Sequence, residues 1–522
     1  MIYVIGSGPA AAACVSALVN RGVKVTVLDA GIQLEKKFFN HLADYRERGD
    51  PRSLEALKGG MIADPKGIPL KLSFGSDFPY QEASEALGIT NNSSGLLPSF
   101  AFGGLSNVWG AAMLPYRDDD IYDWPIKSAE LAPHYHEVAK ITHLTSLSNG
   151  TMDEVFPSYC TNSGILNLNT QGTSLWNDLH KARKHLRENG ILFGRGRVAV
   201  KTSNSTSSGC DYKGLCMYGC PDGYIYNSRD TIMDFQKQGR IDYLPDIVVQ
   251  KISESNQGVE ILCVHRGSGV TRTFKGTKAF LGAGVIPSAR ILMESMALRE
   301  KKLVMRDSQY FLFPLLRMMG ASGISKEPSN NLSQIFLELI KSSGLERSSH
   351  LQIYGYNEII EQALKSTLGL TGKAIPGLVR FLEERIMIVQ GYLHSDLSGT
   401  IEAWLERGEG GVNMRIEALG NHESRKHITQ IMRKLLVQTH RLKAVPIVPM
   451  LQIPAPGRGF HTGSSFPMRH NPKDLESDIW GRPLGFKNMH VVDSSVLPSI
   501  PATTITFSVM ANAHRIATTC EL

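Results

Sequence analysis

The stretch from Ile2 to Asp29 restricts the fold of this chain more than any other. Ile2–Tyr3–Val4–Ile5 is a short apolar run that leads straight into Gly6–Ser7–Gly8–Pro9–Ala10–Ala11. The residues from Ala12 to Asn20 predict a helix, with Pro9 in its first turn, where a missing N–H costs nothing, and Gly22 just past its end. Val23 to Leu28 then predicts a second strand, closed by Asp29. Strand, glycine turn, helix, strand and acid, in that order, describe a dinucleotide-binding unit. Gly6 permits the tight turn, Gly8 lets the backbone approach a pyrophosphate, and Ala11, in place of a third glycine, keeps helix and strand close. Amides of the helix N-terminus face the phosphates, and Asp29 accepts from a ribose hydroxyl. The motif alone does not separate NAD from FAD.

A second signal lies far along the chain. Phe280–Leu281–Gly282–Ala283–Gly284–Val285–Ile286–Pro287–Ser288 runs into Ala289–Arg290–Ile291–Leu292–Met293, which reads as strand, small-residue turn and helix. It follows Asp246–Ile247–Val248–Val249 and an alternating stretch, Val259 to Val264. These residues suit a nucleotide-binding domain that resumes after an insertion, or an unrelated strand–helix corner. A chain of 522 residues exceeds what one core supports, so two lobes are expected. With 42% hydrophobic and 20% charged residues, neither disorder nor a fibrous repeat fits. The net charge of +7 is scattered, which suits an anionic cofactor but not a nucleic-acid partner. No apolar run is long enough to span a membrane, and strand-like residues begin at Ile2 where a secretory leader would carry charge. Together with the odd count of seven cysteines, this predicts a reducing compartment, the cytoplasm.

Two further segments add specificity. Phe102–Gly103–Gly104–Leu105–Ser106–Asn107–Val108–Trp109–Gly110 is the first. The second is His461–Thr462–Gly463–Ser464–Ser465–Phe466–Pro467–Met468, followed by Gly481 to Pro498 with Val491–Val492–Asp493, and then by Thr503 to Ala517. In this order they resemble the glucose-methanol-choline (GMC) oxidoreductases. That resemblance implies an α/β fold: a discontinuous Rossmann-like FAD-binding domain (1–125, 195–300 and 455–522) and a substrate domain (126–194 and 301–454) with an antiparallel sheet covered by helices. It implies FAD contacts from Gly103 and Gly104 at the isoalloxazine ring, with Ser106, Asn107 and Trp109 beside them. Val249, Gly282, Asp493 and Thr503 join the motif residues Gly6, Gly8, Ala11 and Asp29 as cofactor-binding positions. Val108 stands where the pyranose oxidases carry the histidine that attaches FAD, so the cofactor is expected to be non-covalent.

The resemblance further implies a hydride taken from an alcohol or sugar carbon to flavin N5, with His461 as the base. An imidazole suits that proton step because its ordinary pKa lies near operating pH. The family's second catalytic position, His or Asn, falls on Thr504, which can orient a hydroxyl but cannot act as a base. That departure keeps open a lyase-like flavoprotein without net redox, or a flavin-holding binding subunit. The expected partners are a small alcohol or carbohydrate and an external electron acceptor or partner subunit.

Cys210–x5–Cys216–x3–Cys220–Pro221 groups three of the cysteines. Close thiolate spacing before proline suits an iron–sulfur loop. It resembles the GMC dehydrogenase subunits with a three-iron cluster, implying a 3Fe-4S cluster at Cys210, Cys216 and Cys220; unligated thiols or one disulfide fit the same residues. In the centre, Ile386 to Leu393 and Gly411 to Ile416 alternate as strands of an antiparallel sheet, and His422 to Lys443 has amphipathic helical spacing. Phe311 to Leu316 and Leu368 to Leu382 are apolar, fitting either core or a lid or patch.

Overall fold

Strands β1 (Ile2–Ile5) and β2 (Val25–Leu28) are buried along their whole length, as strands covered on both faces must be. Helix α1 (Pro9–Asn20) connects them. With β3 (Ile241–Leu244), β4 (Lys278–Leu281) and β5 (Met489–Val491) they form a wholly parallel sheet of order β5-β4-β1-β2-β3. The computed structural model describes the chain except residues 60–61, 64–68, 146–149, 161–163, 204–207, 300, 375 and 409–410, and leaves the side chains of 62–63, 69, 370–374, 376 and 408 undescribed.

The second sequence signal therefore belongs to the same unit as the first. β4 is the direct neighbour of β1, with Ile5 in register with Leu281. Their two glycine turns touch. Gly6 has φ +96°, and a Cβ there would stand 2.6 Å from Gly282 O. A Cβ on Gly282 would lie 3.2 Å from that of the fully buried Ala11, so small residues hold turn, helix and strand together. Helix α2 (Val285–Ser295) follows β4, and helix α3 (Ile505–Thr519) packs along α1.

The second lobe is built on a six-stranded antiparallel sheet in the order 444–446, 310–317, 386–393, 349–354, 333–339, 191–195. Strand alternation gives it two distinct faces. Phe311, Phe313, Leu351, Ile353, Met387 and Val389 point into a core shared with Ile428, Ile431 and Leu435 of the helix His422–Val437. The Phe311–Leu316 run is thus a central strand and supplies core, not a lid. The expected apolar patch from Leu368 to Leu382 lies partly outside the described residues. Gly411–Leu419 is also a strand, but of a different sheet. It pairs with the adjacent Thr400–Gly408 as a hairpin and with Ile89–Asn91, because local pairing outcompetes the more distant 386–393 strand. The fold is mixed α/β, with a parallel and an antiparallel lobe. Among the described residues no helix is long and apolar enough to cross a membrane.

Candidate active site

Three helix N-termini converge on one cavity. Gly8, Gly284 and Thr504 are the N-cap residues of α1, α2 and α3, and none makes a side-chain capping bond. Their first turns contribute Pro9, Ala10, Val285, Ile286, Ile505 and Thr506 to the lining of a cavity of about 220 Å³. Uncapped amides at a helix start carry partial positive charge and attract an anion. A Cβ on Gly8 or Gly284 would meet nothing within 4 Å, so the backbone at both turns is laid open.

Asp29 lies in the same cavity wall. Its Oδ2 accepts from Ser7 Oγ at 2.6 Å and from Tyr243 OH at 2.9 Å. Burial pushes this carboxyl up to about 6, against the pull of those donors. Gly6, Val249, Gly282, Gly104 and Asp493 complete the set of expected cofactor residues that line this cavity. Asp493 Oδ2 accepts from Gly284 N–H at 2.9 Å and from Ser288 Oγ at 2.5 Å, and its Oδ1 from Ser495 N–H at 3.0 Å. It therefore locks the start of α2 to β5. An elongated, diphosphate-bearing dinucleotide fits these residues: an acid at one end, open glycine backbone and three uncapped helix starts along the middle.

The 102–110 loop lines both cavities, Gly104 and Leu105 the first and Leu105, Ser106, Val108, Trp109 and Gly110 the second. A Cβ on Gly103 would meet Asn227 Oδ1 at 2.3 Å, and one on Gly104 would lie 3.2 Å from Gly8 Cα. The paired glycines make room for neighbouring chain. Ser106 Oγ donates to Gly103 O at 2.5 Å, and Asn107 Nδ2 donates to Phe102 O at 3.0 Å and Gly104 O at 2.7 Å. These short polar side chains hold the loop's own backbone. Trp109 Nε1 donates to Tyr226 O at 3.0 Å. Thr503 Oγ1 is buried with no hydrogen-bond partner among the described residues.

A second cavity, of about 260 Å³, adjoins the first, and Pro9, Leu105, Phe460, Ile505 and Thr506 line both. His461 and Thr504, remote in sequence terms from one another's motif, both face it. The His461 ring stacks on Tyr392 with centroids 4.6 Å apart, and its Nδ1 is buried with no partner among the described residues. The side chain keeps some exposed surface at the cavity, yet the protein around it is dense. Burial, with a smaller contribution from His350, pushes its pKa down to about 3, so the imidazole is neutral at neutral pH. Thr504 Oγ1 accepts from Leu114 N–H at 2.8 Å, which fixes the hydroxyl and leaves its proton to donate.

Ser106 and Trp109, expected as cofactor positions, also line the second cavity; its other walls were not foreseen from the sequence. The face of the six-stranded sheet opposite its core supplies Tyr310, Gln352, Tyr354, Gln390 and Tyr392, while Lys71, Tyr80 and Arg458 come from irregular segments. Period-two alternation in 386–393 marked the strand but not which face met a site.

The three-cysteine expectation finds no support. Among the described residues no group of three or more His, Cys, Asp or Glu side chains is placed to hold a metal ion. Cys210, Cys216 and Cys220 are free thiols, separated by a turn in which Tyr218 N–H donates to Leu215 O and by Gly219 at φ +114°. Cys220 Sγ accepts from Tyr224 N–H at 3.2 Å, and burial pushes the Cys216 thiol up to about 11.

No protein-family model and no curated protein matches the chain. Among solved structures it is similar to the crystal structure of pyridoxine 4-oxidase from Mesorbium loti, with 13% sequence identity and a TM-score of 0.59 over 99% of this chain and 98% of that one. At that identity the likeness is one of fold.

Proposed function

We propose that the chain is an FAD-dependent oxidoreductase acting on the CH–OH group of an alcohol or sugar, with His461 as the base. The observation that carries this reading is the continuity of the two cavities, which sets a dinucleotide cradle against a half-buried neutral imidazole. Segments 1–125, 195–300 and 455–522 would form the cofactor domain and 126–194 with 301–454 the substrate domain. The fold neighbour's name, pyridoxine 4-oxidase, supports an oxidase-type reaction.

FAD, when bound, supplies the two-electron acceptor. Ser7, Gly8, Asp29, Gly284 and the first turns of α1 and α2 would hold its nucleotide half, while α3 and Leu105 border the junction with the substrate cavity. His461 takes the hydroxyl proton. With Nδ1 turned away into the protein, Nε2 is the ring nitrogen left for that task. Thr504 donates to the same oxygen and orients it, and the aromatic walls exclude water. Non-covalent attachment follows from Val108, whose side chain forms no bond to a flavin.

Anaerobic mixing with a panel of primary alcohols and sugars tests the redox step. Loss of the oxidised-flavin absorbance within turnover time is expected with at least one of them. Turnover that leaves the flavin oxidised throughout would replace this reading with a lyase-like one.

A further inference from the structure

One edge of the antiparallel lobe carries apolar side chains that the fold leaves exposed. The strand Ala444–Pro446 is the last of the six-stranded sheet and pairs on one side only, with Tyr310–Arg317. Around it Met318, Met319, Leu436, Val437, Val448 and Met450 are exposed, Met319 to 67% and Val437 to 79%. Backbone bonds draw their three segments together. Met318 N–H donates to Lys443 O at 2.9 Å, which ties the end of Tyr310–Arg317 to the start of the edge strand. Leu442 N–H donates to Gln438 O at 2.9 Å, closing the single turn that separates Val437 from Lys443. Ile447 N–H donates to Pro314 O at 2.9 Å, which holds the turn Val448–Met450 beside the same strand. The charge along this edge is one-sided. From Ser424 to Lys473 the sequence has nine lysines and arginines and no Asp or Glu. Arg433 and Arg441 are exposed on the helix and turn that carry Leu436 and Val437, and Lys443 is half-buried at the strand start. Asp178 and Glu384, on neighbouring elements, pair with Arg317 and with Arg380 and Arg385.

We propose that this edge is a membrane-docking face, which sets its apolar side chains into the headgroup region of an anionic lipid bilayer while Arg433, Arg441 and Lys443 meet the lipid phosphates. Exposed apolar side chains rimmed by cations are what a protein needs to rest on a membrane without crossing it. Two of the six are methionines at consecutive positions, whose unbranched side chains adapt to an irregular surface. Other occupants fit less well. A strand added by another protein needs a row of free N–H donors, and Pro446 and Pro449 lack them at this edge. A second copy docked about a two-fold axis would set the same cations against one another. None of these residues lines either cavity, so the docking face stands or falls independently of the flavin chemistry.

Flotation of the purified chain with lipid vesicles tests the inference. At low salt, vesicles of phosphatidylcholine with about one-third phosphatidylglycerol are expected to bind it at least about ten-fold more tightly than phosphatidylcholine alone, a preference that falls as salt rises. Met319→Glu combined with Val437→Glu is expected to weaken binding to the anionic vesicles about ten-fold or more. Arg433→Gln and Arg441→Gln are each expected to weaken it about five-fold. All four positions are exposed, so the melting temperature should be unaltered. Val270→Glu combined with Val304→Glu adds the same charge at exposed positions elsewhere and is expected to weaken binding far less than the first pair. Absence of binding to either vesicle would overturn the inference, as would equal binding to both. Equal losses in the two Glu pairs would overturn it too, since net charge and not this face would then govern binding. If the native chain floats with no vesicle but forms a concentration-dependent dimer that Met319→Glu with Val437→Glu abolishes, the edge is a contact between copies and the membrane reading fails.

Discussion

His461→Ala is expected to lower kcat/KM by about 10²- to 10⁴-fold, the usual effect of removing a general base, and to leave FAD occupancy intact. His461 lines the second cavity and not the first, so the yellow colour and the melting temperature of the loaded protein should change little. A distinctive pH behaviour accompanies this residue. Its folded pKa is depressed to about 3, whereas an unfolded histidine protonates near 6.5. Above the unfolded value both states are neutral and the full stability is present. As pH falls from there towards 3 the unfolded chain binds a proton that the folded one refuses, so stability is lost, by about 1 kcal/mol per pH unit. The alanine variant should lose less stability over that window in melting experiments. Activity of the native enzyme should show no acid limb near pH 6.5, since the base is already unprotonated there. An alanine variant with native kcat/KM across alcohols that bleach the flavin would remove His461 from the mechanism.

The other large effect belongs to the N-terminal turn, where two glycines only two residues apart are expected to fail in opposite ways. Gly8 sits at φ −65° and ψ 177°, a conformation open to any residue and suited to the position before proline. Its Cβ would enter empty cavity. Gly8→Val should therefore fold with a near-native melting temperature as the apoprotein, yet lose at least about 100-fold in FAD affinity, because its methyl groups occupy the space of the pyrophosphate. Gly6, at φ +96° with its Cβ directed at Gly282 O, has no such freedom. Gly6→Ala carries backbone strain of about 1–3 kcal/mol together with a backbone clash, and should destabilise the fold itself. Fluorescence titration with FAD, paired with thermal melting of both variants, separates the two. Native FAD affinity in folded Gly8→Val would place the dinucleotide elsewhere.

The parts of this molecule legible in the sequence are those whose meaning is local. Ile2 to Asp29 reads as strand, turn, helix and strand because each element is fixed by neighbours within a few residues, and the structure follows it closely. The partner turn at Gly282–Gly284 was recognisable by the same small-residue signature, although only folding brings it against Gly6. The second cavity was legible at His461, Thr504, Ser106 and Trp109. Tyr310, Gln352 and Gln390 reach it because three strands distant in sequence align in one register, as with Gln352 opposite Gln390, and alternation alone does not say which face meets a cavity. Lys71 and Arg458 stand in irregular chain, where no period exists to read. Ser106 and Asn107 show a second limit: a motif carries residue types, yet these two hydrogen-bond their own loop and also Asn227 and Ser228, partners far along the chain that spacing does not reveal. The cysteines show a third, since spacing along the chain does not say whether three thiols are arranged to hold a metal, and among the described residues no such group is found.

The visible absorption spectrum of the purified protein, recorded before and after denaturation and with added FAD, tests the central claim most directly. The expected result is an oxidised-flavin spectrum in the folded protein, or its appearance on reconstitution, with FAD released intact on denaturation, as the proposed non-covalent attachment predicts. A folded, colourless protein that takes up no FAD would contradict the assignment of the glycine-lined cavity.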